Sequence, residues 1–182
     1  FWGGHPSRPF EPLDRVIDRA VAATGLVIAR TEIAGLRHAN AGRIYDIVDA
    51  TGAQTLFGLR PAALRTAIVA ARPWVRDVEI IRDWPDRLRL VIYEREPFAV
   101  LHHTRDGKPY AVLIDATGAR LSPVPAHAPP PLRQIFGANA AVAAARIVAE
   151  VEAHPEIAAD VLAFEFVGSR RWTLHLRQGR HV

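Results

Sequence analysis

The sequence contains no cysteine. Without thiols the chain has neither a disulfide framework nor a thiolate nucleophile or metal ligand. Its eight histidines do not replace them, because no His-x-x-x-His pair and no carboxylate at ligand spacing occurs within one predicted element. His102 and His103 are adjacent on a predicted strand and therefore point to opposite faces. The sequence predicts no metal site and no cofactor.

Long apolar runs are also absent. No stretch approaches the roughly 18 apolar residues of a membrane-spanning helix, and no signal peptide begins the chain. We therefore expect the polypeptide, as given, to be soluble. Its 182 residues, 49% of them hydrophobic, suffice for one ordinary domain or two small ones and exclude a disordered tail.

Lysine occurs once, at Lys108, so arginines carry almost all of the positive charge behind the net charge of +4. These arginines are scattered singly among acidic residues, whereas nucleic-acid binding favours a basic stripe with interleaved aromatics. Nucleic acid is therefore not an expected partner.

No Ser-His-Asp set lies near a nucleophile elbow, and residues 115–118 lack the glycine spacing and lysine of a phosphate loop. The sequence predicts a protein that is not an enzyme.

Residues 72–97 are the most informative stretch of the sequence. Two runs in it alternate between apolar and polar residues, which is the pattern of half-buried strands. Pro85 fixes its own φ and cannot donate to a ladder, so Trp84-Pro85-Asp86 predicts the turn of an antiparallel hairpin. The apolar positions are Val78 and Ile80 in the first run and Leu88, Leu90 and Ile92 in the second.

Upstream, the pattern predicts a strand at residues 26–33 and two helices, the first capped by Asn40 and the second beginning near Pro61. An additional amphipathic helix precedes them and ends at Gly25. The order strand, helix, helix, strand, strand predicts a two-layer α+β unit with at least one open sheet edge. The apolar helix positions are Leu13, Val16, Ile17, Ala20 and Val21, then Ile44, Ile47 and Val48, then Leu64, Ile68 and Ala71.

From residue 98 the pattern changes to short strands, at 98–102, at 110–114 and around Leu121. Residues 123–131 hold five prolines and predict an extended surface connector, with a partner-binding proline ligand as the alternative. Residues 140–152 predict a helix that Asn139 can cap. A second hairpin follows, in which Leu162, Phe164 and Phe166 alternate in one strand and Trp172, Leu174 and Leu176 in the other.

Several short motifs in this order resemble the extracytoplasmic part of the bacterial cell division family FtsQ, also called DivIB. They are Pro-Trp-Val at 73–75, Trp-Pro-Asp at 84–86, Glu-Arg-Glu-Pro at 94–97, Asp-Ala-Thr-Gly at 115–118 and Arg-Arg-Trp at 170–172. The resemblance extends from about Gly3 to the last residue. It implies a membrane-proximal segment with a short helix at 1–23, a POTRA-like βααββ domain at 24–97 and a strand-rich β domain with one or two helices at 98–182. Family members continue past the counterpart of Val182, so we expect this β domain to be C-terminally incomplete.

The resemblance implies a scaffold of the divisome that binds other division proteins during septum formation. In this family a membrane helix precedes the corresponding part, which lies on the periplasmic side of the inner membrane. Its partners include the FtsB and FtsL pair. The alternative is a POTRA-type chaperone or docking module of an outer-membrane assembly or secretion system, for which repeated βααββ units or a barrel would be expected.

Both predicted hairpins carry predicted protein-binding residues: Val78, Ile80 and Arg82 in the first, and Arg170, Arg171 and Trp172 in the second. If Trp172 faces the core, the alternate residues Arg171, Thr173, His175 and Arg177 must face outward. The resemblance implies that an arginine of the Arg-Arg-Trp motif helps to hold a partner, which is added as a strand at the sheet edge. The alternative is that the two arginines only keep the hairpin soluble.

Two further features have open interpretations. Trp74 and Trp84 adjoin prolines, where a large ring is expected to pack and pin a turn, the alternative being an exposed partner anchor. Glu94, Arg95 and Glu96 lie at the junction of the two predicted domains. They are either ordinary exposed charges or part of an ion pair between the domains.

Overall fold

The predicted hairpin is the centre of the first sheet in this computed structural model, which describes residues 20–23, 27–105 and 107–177. Strand β2, Val75–Asp83, pairs antiparallel with strand β3, Arg87–Glu94, and Ile80 lies opposite Leu90. Trp84-Pro85-Asp86 closes the turn, with a cis peptide bond before Pro85. The prediction of an antiparallel hairpin is confirmed.

Strand β1, Arg30–Ala34, pairs parallel with β3 and completes a three-stranded sheet of order β1-β3-β2. The strand begins four residues later than the predicted start at residue 26, because Arg30 is the register partner of the first residue of β3, Arg87. Because no residue of β3 precedes Arg87, no backbone of β3 is available to pair with the residues before Arg30. The amide of Ala29 donates instead to the carbonyl of Asp86 in the turn, at 2.9 Å.

Helices α1, Ala41–Ala50, and α2, Pro61–Ala71, lie where the sequence predicts them. The side chain of Asn40 caps α1 by accepting a hydrogen bond from the amide of Arg43 at 3.3 Å. The helices bury Ile44, Val48, Leu64 and Ile68 in the core formed with Val78, Leu88, Leu90 and Ile92. Ala71, the last residue of α2, is exposed, contrary to the prediction. Of the helix predicted to end at Gly25, residues 20–22 are helical and residue 23 forms a turn, and the other residues of the predicted helix lie outside the described residues.

The second unit is built on a six-stranded sheet of order β6-β5-β4-β7-β8-β9. Together the two units confirm the predicted α+β class, a POTRA-like βααββ unit followed by a strand-rich one. The chain divides between Glu94 and Arg95. The elements are β4 Ala99–Arg105, β5 Lys108–Ile114, β6 Arg120–Val124, β7 Arg133–Phe136, α3 Ala140–Glu152, α4 Pro155–Ala158, β8 Val161–Val167 and β9 Arg171–Leu176.

Helix α3 packs on one face of this sheet. Its residues Ala140, Ala144 and Val148 are fully buried and share a core with Ile135 and Phe164. On β4, alternation turns Val100 to the other face, and this residue is also fully buried. The amide group of Gln134 donates to the carbonyls of Pro130 and Leu132, which fixes the end of the proline-rich connector beside that face.

Three details of this unit differ from the sequence predictions. The short strand β7 was not predicted, since only Ile135 of its four residues is buried, yet it pairs parallel with both β4 and β8. Asn139 precedes α3 in the left-handed region, with φ of +61°, and makes no side-chain cap, because a capping residue needs an extended backbone; its amide group donates to the Ser169 hydroxyl at 3.4 Å instead. A register shift between Val161 and Ala163 leaves Leu162 51% exposed.

Glu94, at the end of β3, binds the segment that leads from β1 to α1. Its carboxylate accepts backbone hydrogen bonds from Arg37, His38 and Ala39 at 2.8–3.0 Å and lies 3.0 Å from His38 Nδ1. The side chain is only 7% exposed. Burial by itself would raise the pKa of Glu94, but these donors outweigh it and lower the pKa to about 2. Glu94 is therefore a structural residue of the first unit.

Asp115, at the end of β5, has the same role in the second unit. Its Oδ1 accepts hydrogen bonds from the amide and hydroxyl of Thr117 and from the amide of Ala119, at 2.6–2.9 Å. Its Oδ2 accepts one from Arg95 Nη1 at 2.7 Å. Burial opposes ionisation, but the donors prevail and hold the pKa of Asp115 below its usual value. Arg95 and Asp115 both lie in the unit that begins at residue 95, Glu94 is bound within the first unit, and Glu96 is an exposed charge.

We expect Glu94→Gln to lower the free energy of unfolding of the first unit by about 2 kcal/mol at pH 7, since an amide oxygen is a weaker acceptor than a carboxylate. The pKa of Glu94 is depressed from 4.5 to about 2, so its charge stabilises the folded state fully above pH 4.5 and loses that effect as the pH falls toward 2. Native-state hydrogen exchange of the β3 amides should show the difference from wild type shrinking across this window. Glu96→Gln is the control and should change stability by less than about 0.5 kcal/mol. A difference for Glu94→Gln that does not vary with pH would contradict this role.

We expect Gly118→Ala to destabilise the second unit by about 2 kcal/mol or more, and Gly168→Ala by only about 1 kcal/mol. Both glycines have positive φ, +84° and +58°. A Cβ at Gly118 would lie 2.8 Å from the backbone C and O of Ala141 in α3, whereas a Cβ at Gly168 meets nothing within 4 Å. Urea unfolding of the two variants measures the difference. Equal losses would show that the turn can move away from the helix.

Candidate protein-binding surfaces

The hairpin of β8 and β9 presents the predicted arginines at its turn. Arg170 ends the turn that begins at Gly168, Arg171 begins β9, and both side chains are exposed. Trp172 is half-buried, and its ring stacks on Phe166 with a centroid distance of 4.7 Å. Trp172 therefore anchors the hairpin to the core, while the two arginines are accessible to a partner.

The outward face of β9 is polar, as the alternation predicts. Trp172 and Leu174 pack against the core on the side of α3, so Arg171, Thr173 and His175 face the other way. His175 Nε2 lies 2.8 Å from Glu165 Oε2 on β8, so a carboxylate adjoins the basic row. Within the described residues β9 lies at one edge of the sheet. The outward face of this edge strand therefore carries arginines at its turn, and in its middle a histidine that is paired with a glutamate of β8.

A shallow depression of about 320 Å³ lies on the same face, lined by Phe136, Ala163, Glu165 and His175. Phe136 is 38% exposed and stacks on His102 at 4.5 Å. His102 also lies 2.6 Å from Gln134 Oε1, whereas its neighbour His103 contacts Tyr110, as expected for opposite faces. Sequence reasoning missed this depression because β7, which supplies Phe136, was not predicted. Phe136 and Ala163 supply apolar surface to this depression, and the carboxylate that lines it, Glu165, is already paired with His175.

The first unit offers the edge strand β2. Its predicted binding residues alternate on one face: Val78 is 3% exposed, Ile80 packs against the core, and Arg82 Nη2 donates to the Leu59 carbonyl at 2.7 Å. All three side chains therefore bind within the unit. The part of β2 that remains open to a partner is the backbone of the edge.

The opposite face of this sheet is covered by polar contacts. Tyr93 donates to Glu79 at 3.0 Å, and Asp77 accepts a 2.6 Å hydrogen bond from Arg65 on α2. The hydrogen bond from Arg65, with a second from the amide of Val78, lowers the pKa of Asp77 to about 2. Surface pairs of this kind contribute little to stability.

The two tryptophans beside prolines differ in their environment. Trp74 is half-buried and stacks on His38 at 4.2 Å, in agreement with the packed interpretation. Trp84 contacts the Phe57 ring with a centroid distance of 4.5 Å but is 53% exposed, which favours the alternative of an exposed ring.

Two further structural features are absent from the part of the chain that the structure describes. No group of three or more histidine, aspartate or glutamate side chains in these ranges is arranged to hold a metal ion. No described helix is long and apolar enough to cross a membrane.

Comparison with known proteins identifies both units with one family. Residues 27–95 match the family described as POTRA domain, FtsQ-type. The cell division protein FtsQ of Zymomonas mobilis is 31% identical over 155 residues, which are 85% of this chain and 48% of that protein. FtsQ of Novosphingobium aromaticivorans is 31% identical over 157 residues, 86% of this chain and 47% of that protein. FtsQ of Agrobacterium fabrum is 27% identical over 164 residues, 90% of this chain and 50% of that protein.

The chain spans about half the length of the curated relatives it matches. The aligned portion includes the POTRA domain and continues through most of the strand-rich unit, because it amounts to 85% or more of this chain in these three relatives. With an FtsQ-type POTRA domain whose fold the structure shows, and with relatives of that name aligned along most of its length, the chain belongs to the FtsQ family of cell division proteins.

Proposed function

We propose that this chain is part of a non-enzymatic scaffold of the bacterial divisome, which binds other division proteins during septum formation. The observation that carries the proposal is the hairpin of β8 and β9. It presents Arg170 and Arg171, both exposed, beside an edge strand that is anchored to the core through Trp172. An edge strand can bind a partner by backbone pairing, and adjacent arginines add charge-assisted hydrogen bonds to acidic side chains.

The proposed partners are the FtsB and FtsL pair, at the second unit. An acidic strand or helix end would suit Arg170 and Arg171, which have no ion pair within the described residues. Backbone pairing would contribute most of the affinity, and the arginines would select the partner. The open edge of β2 in the POTRA domain is the corresponding proposal for other division proteins, with Val78, Ile80 and Arg82 holding that strand rigid from the core side.

The proposal asks for no catalytic chemistry. The two most deeply buried carboxylates with lowered pKa values, Glu94 and Asp115, accept hydrogen bonds from amides of their own units and hold loops in place. Their oxygen atoms are thus engaged by this chain. These groups support a structural role better than a role as general acid or base.

The proposed location is the periplasmic side of the inner membrane, with the full-length protein anchored through a segment on the N-terminal side. The relatives are named as division proteins, which supports this location over that of an outer-membrane assembly module. The second unit also argues against that alternative. Its six-stranded sheet with α3 on one face does not repeat the βααββ unit.

The test is a charge reversal in the full-length protein with its natural termini. We expect Arg170→Glu combined with Arg171→Glu to weaken binding to the FtsB and FtsL pair at least tenfold, because two attractive contacts of about 1 kcal/mol or more each become repulsive. Isothermal titration or surface plasmon resonance with the purified pair measures the affinity. Circular dichroism verifies the fold of the variant.

The matched control reverses two other exposed arginines of the same unit, Arg120→Glu on β6 together with Arg146→Glu on α3. This control changes the net charge by the same amount and should leave the affinity within a factor of about two, since exposed charges far from a contact are screened by salt. Equal losses in both variants would assign the effect to net charge. Unchanged affinity in the first variant would show that Arg170 and Arg171 are only solvated.

A further inference from the structure

Two large aromatic side chains are exposed at one end of the POTRA domain. Trp84 in the β2–β3 turn is 53% exposed, and Phe57 in the segment between α1 and α2 is 55% exposed. Their rings contact each other with a centroid distance of 4.5 Å and an interplanar angle of 52°. Neither ring belongs to the hydrophobic core of the unit. We call Phe57 and Trp84 together the aromatic tip.

The aromatic tip lies at the end of the domain where the chain enters it. Because β1 runs parallel to β3, with Arg30 opposite Arg87, β1 begins beside the β2–β3 turn. The amide of Ala29 donates to the Asp86 carbonyl in that turn, at 2.9 Å. The amide of Ile28 donates to the Gln54 carbonyl, also at 2.9 Å, in the segment that carries Phe57. The entering chain is thus bound to both parts of the tip.

The chain leaves the domain at the opposite end. Strand β3 has eight residues, so its last residue, Glu94, lies about 23 Å from its first. The chain before residue 27 therefore joins the domain at the end that carries the aromatic tip, and Glu94 lies at the other end.

Basic residues outnumber acidic residues around the tip. Arg82 precedes the turn and bonds to the Leu59 carbonyl, two residues after Phe57, which places its guanidinium beside the tip. The strand ends and loop next to the two rings carry five arginines, Arg30, Arg60, Arg82, Arg87 and Arg89, and three carboxylates, Glu32, Asp83 and Asp86. Arg87 and Arg89 form ion pairs with Glu32 and Asp83, so the excess is one of net positive charge. A net positive charge around exposed aromatic rings suits an anionic surface.

We propose that the aromatic tip contacts the anionic phospholipid surface of the membrane, with the POTRA domain standing on the bilayer at its chain-entry end. The inference rests on the proposed function for the membrane anchor on the N-terminal side. Tryptophan prefers the membrane–water interface, where its ring reaches apolar atoms and its N–H stays hydrated. The net positive charge around the tip attracts anionic lipid head groups. An anchor joined to the domain at this end would raise the effective concentration of the surface around the tip, which favours contact by only two rings.

A protein partner is a weaker match for this feature. A stable protein–protein interface buries about 800 Å² of accessible surface on each partner. Two aromatic rings surrounded by charged residues do not form an apolar patch of that size. Contact with a fluid bilayer does not require shape complementarity. The experiment below distinguishes the two.

Because the chain has no cysteine, a single Phe57→Cys labelled with an environment-sensitive fluorophore reports on the tip directly. The labelled chain is attached through an N-terminal His tag to vesicles of phosphatidylethanolamine and phosphatidylglycerol that contain a nickel-chelating lipid. We expect a blue shift of the label emission on these vesicles and a smaller one on phosphatidylcholine vesicles. The matched control is Tyr93→Cys, which replaces an aromatic residue 43% exposed near the other end of β3 and should show no shift.

A second measurement uses the untethered chain with unlabelled vesicles of the same anionic composition. We expect Phe57→Ser with Trp84→Ser to reduce vesicle partitioning about tenfold, since two apolar rings no longer enter the interface. Tyr93→Ser with Val142→Ser removes two other exposed apolar side chains and should leave partitioning unchanged. Circular dichroism verifies that all variants fold.

Three results would overturn the proposal. They are a label at position 57 that stays in water on anionic vesicles, equal partitioning of the two double variants, and equal shifts on anionic and phosphatidylcholine vesicles. If the tip variant keeps its lipid partitioning but loses a division protein in co-purification, the tip binds protein instead. Neither vesicle measurement involves the FtsB and FtsL pair, so a negative result here is separate from failure of the scaffold proposal.

Discussion

The pairing of β3 on both sides is the constraint on which the POTRA domain depends. β3 lies between β1, which is parallel to it, and β2, which is antiparallel. Its residues Leu88, Leu90 and Ile92 are at most 2% exposed and lie beneath both helices. A register slip of one residue would turn all three to solvent. Because β3 is central, β1 and β2 form the two edges of the sheet among the described residues, and the chain enters beside the hairpin turn. Both the candidate docking edge and the position of the aromatic tip follow from this one strand.

Each unit uses a buried carboxylate at the end of a strand to hold a loop. Glu94 binds the amides that precede α1, and Asp115 binds those of the turn before β6. Burial disfavours a charged carboxylate, so both are stable only because several donors converge on them. The low pKa values that result would suggest a functional site if taken alone. Their partners are backbone amides and an arginine of the same unit, and this identifies them as structural.

The surfaces that remain for partners differ in character. On β9, exposed Arg170 and Arg171 lie next to a strand whose other face is buried, so a rigid edge carries accessible charge. On β2, Val78 and Arg82 are bound within the unit, which leaves the backbone of the edge. The aromatic tip is of a third kind, with exposed rings among arginines. Strand pairing suits the first two surfaces, and a fluid lipid surface suits the third.

Alternation and turn chemistry by themselves determined the α+β class, the βααββ order, the Asn40 cap and the position of both hairpins, because these depend on local backbone preferences and on which residues avoid water. The paired edges, the buried partners of Glu94 and Asp115, and the insertion of β7 between β4 and β8 were decided only by tertiary structure. Each of these contacts joins residues far apart in sequence, such as Glu94 and Arg37, and no pattern of residue spacing predicts such a contact. The same holds for Trp84: its neighbour Pro85 indicates a turn, but the ring that Trp84 contacts belongs to Phe57, 27 positions earlier in the chain, and only the tertiary structure brings the two together.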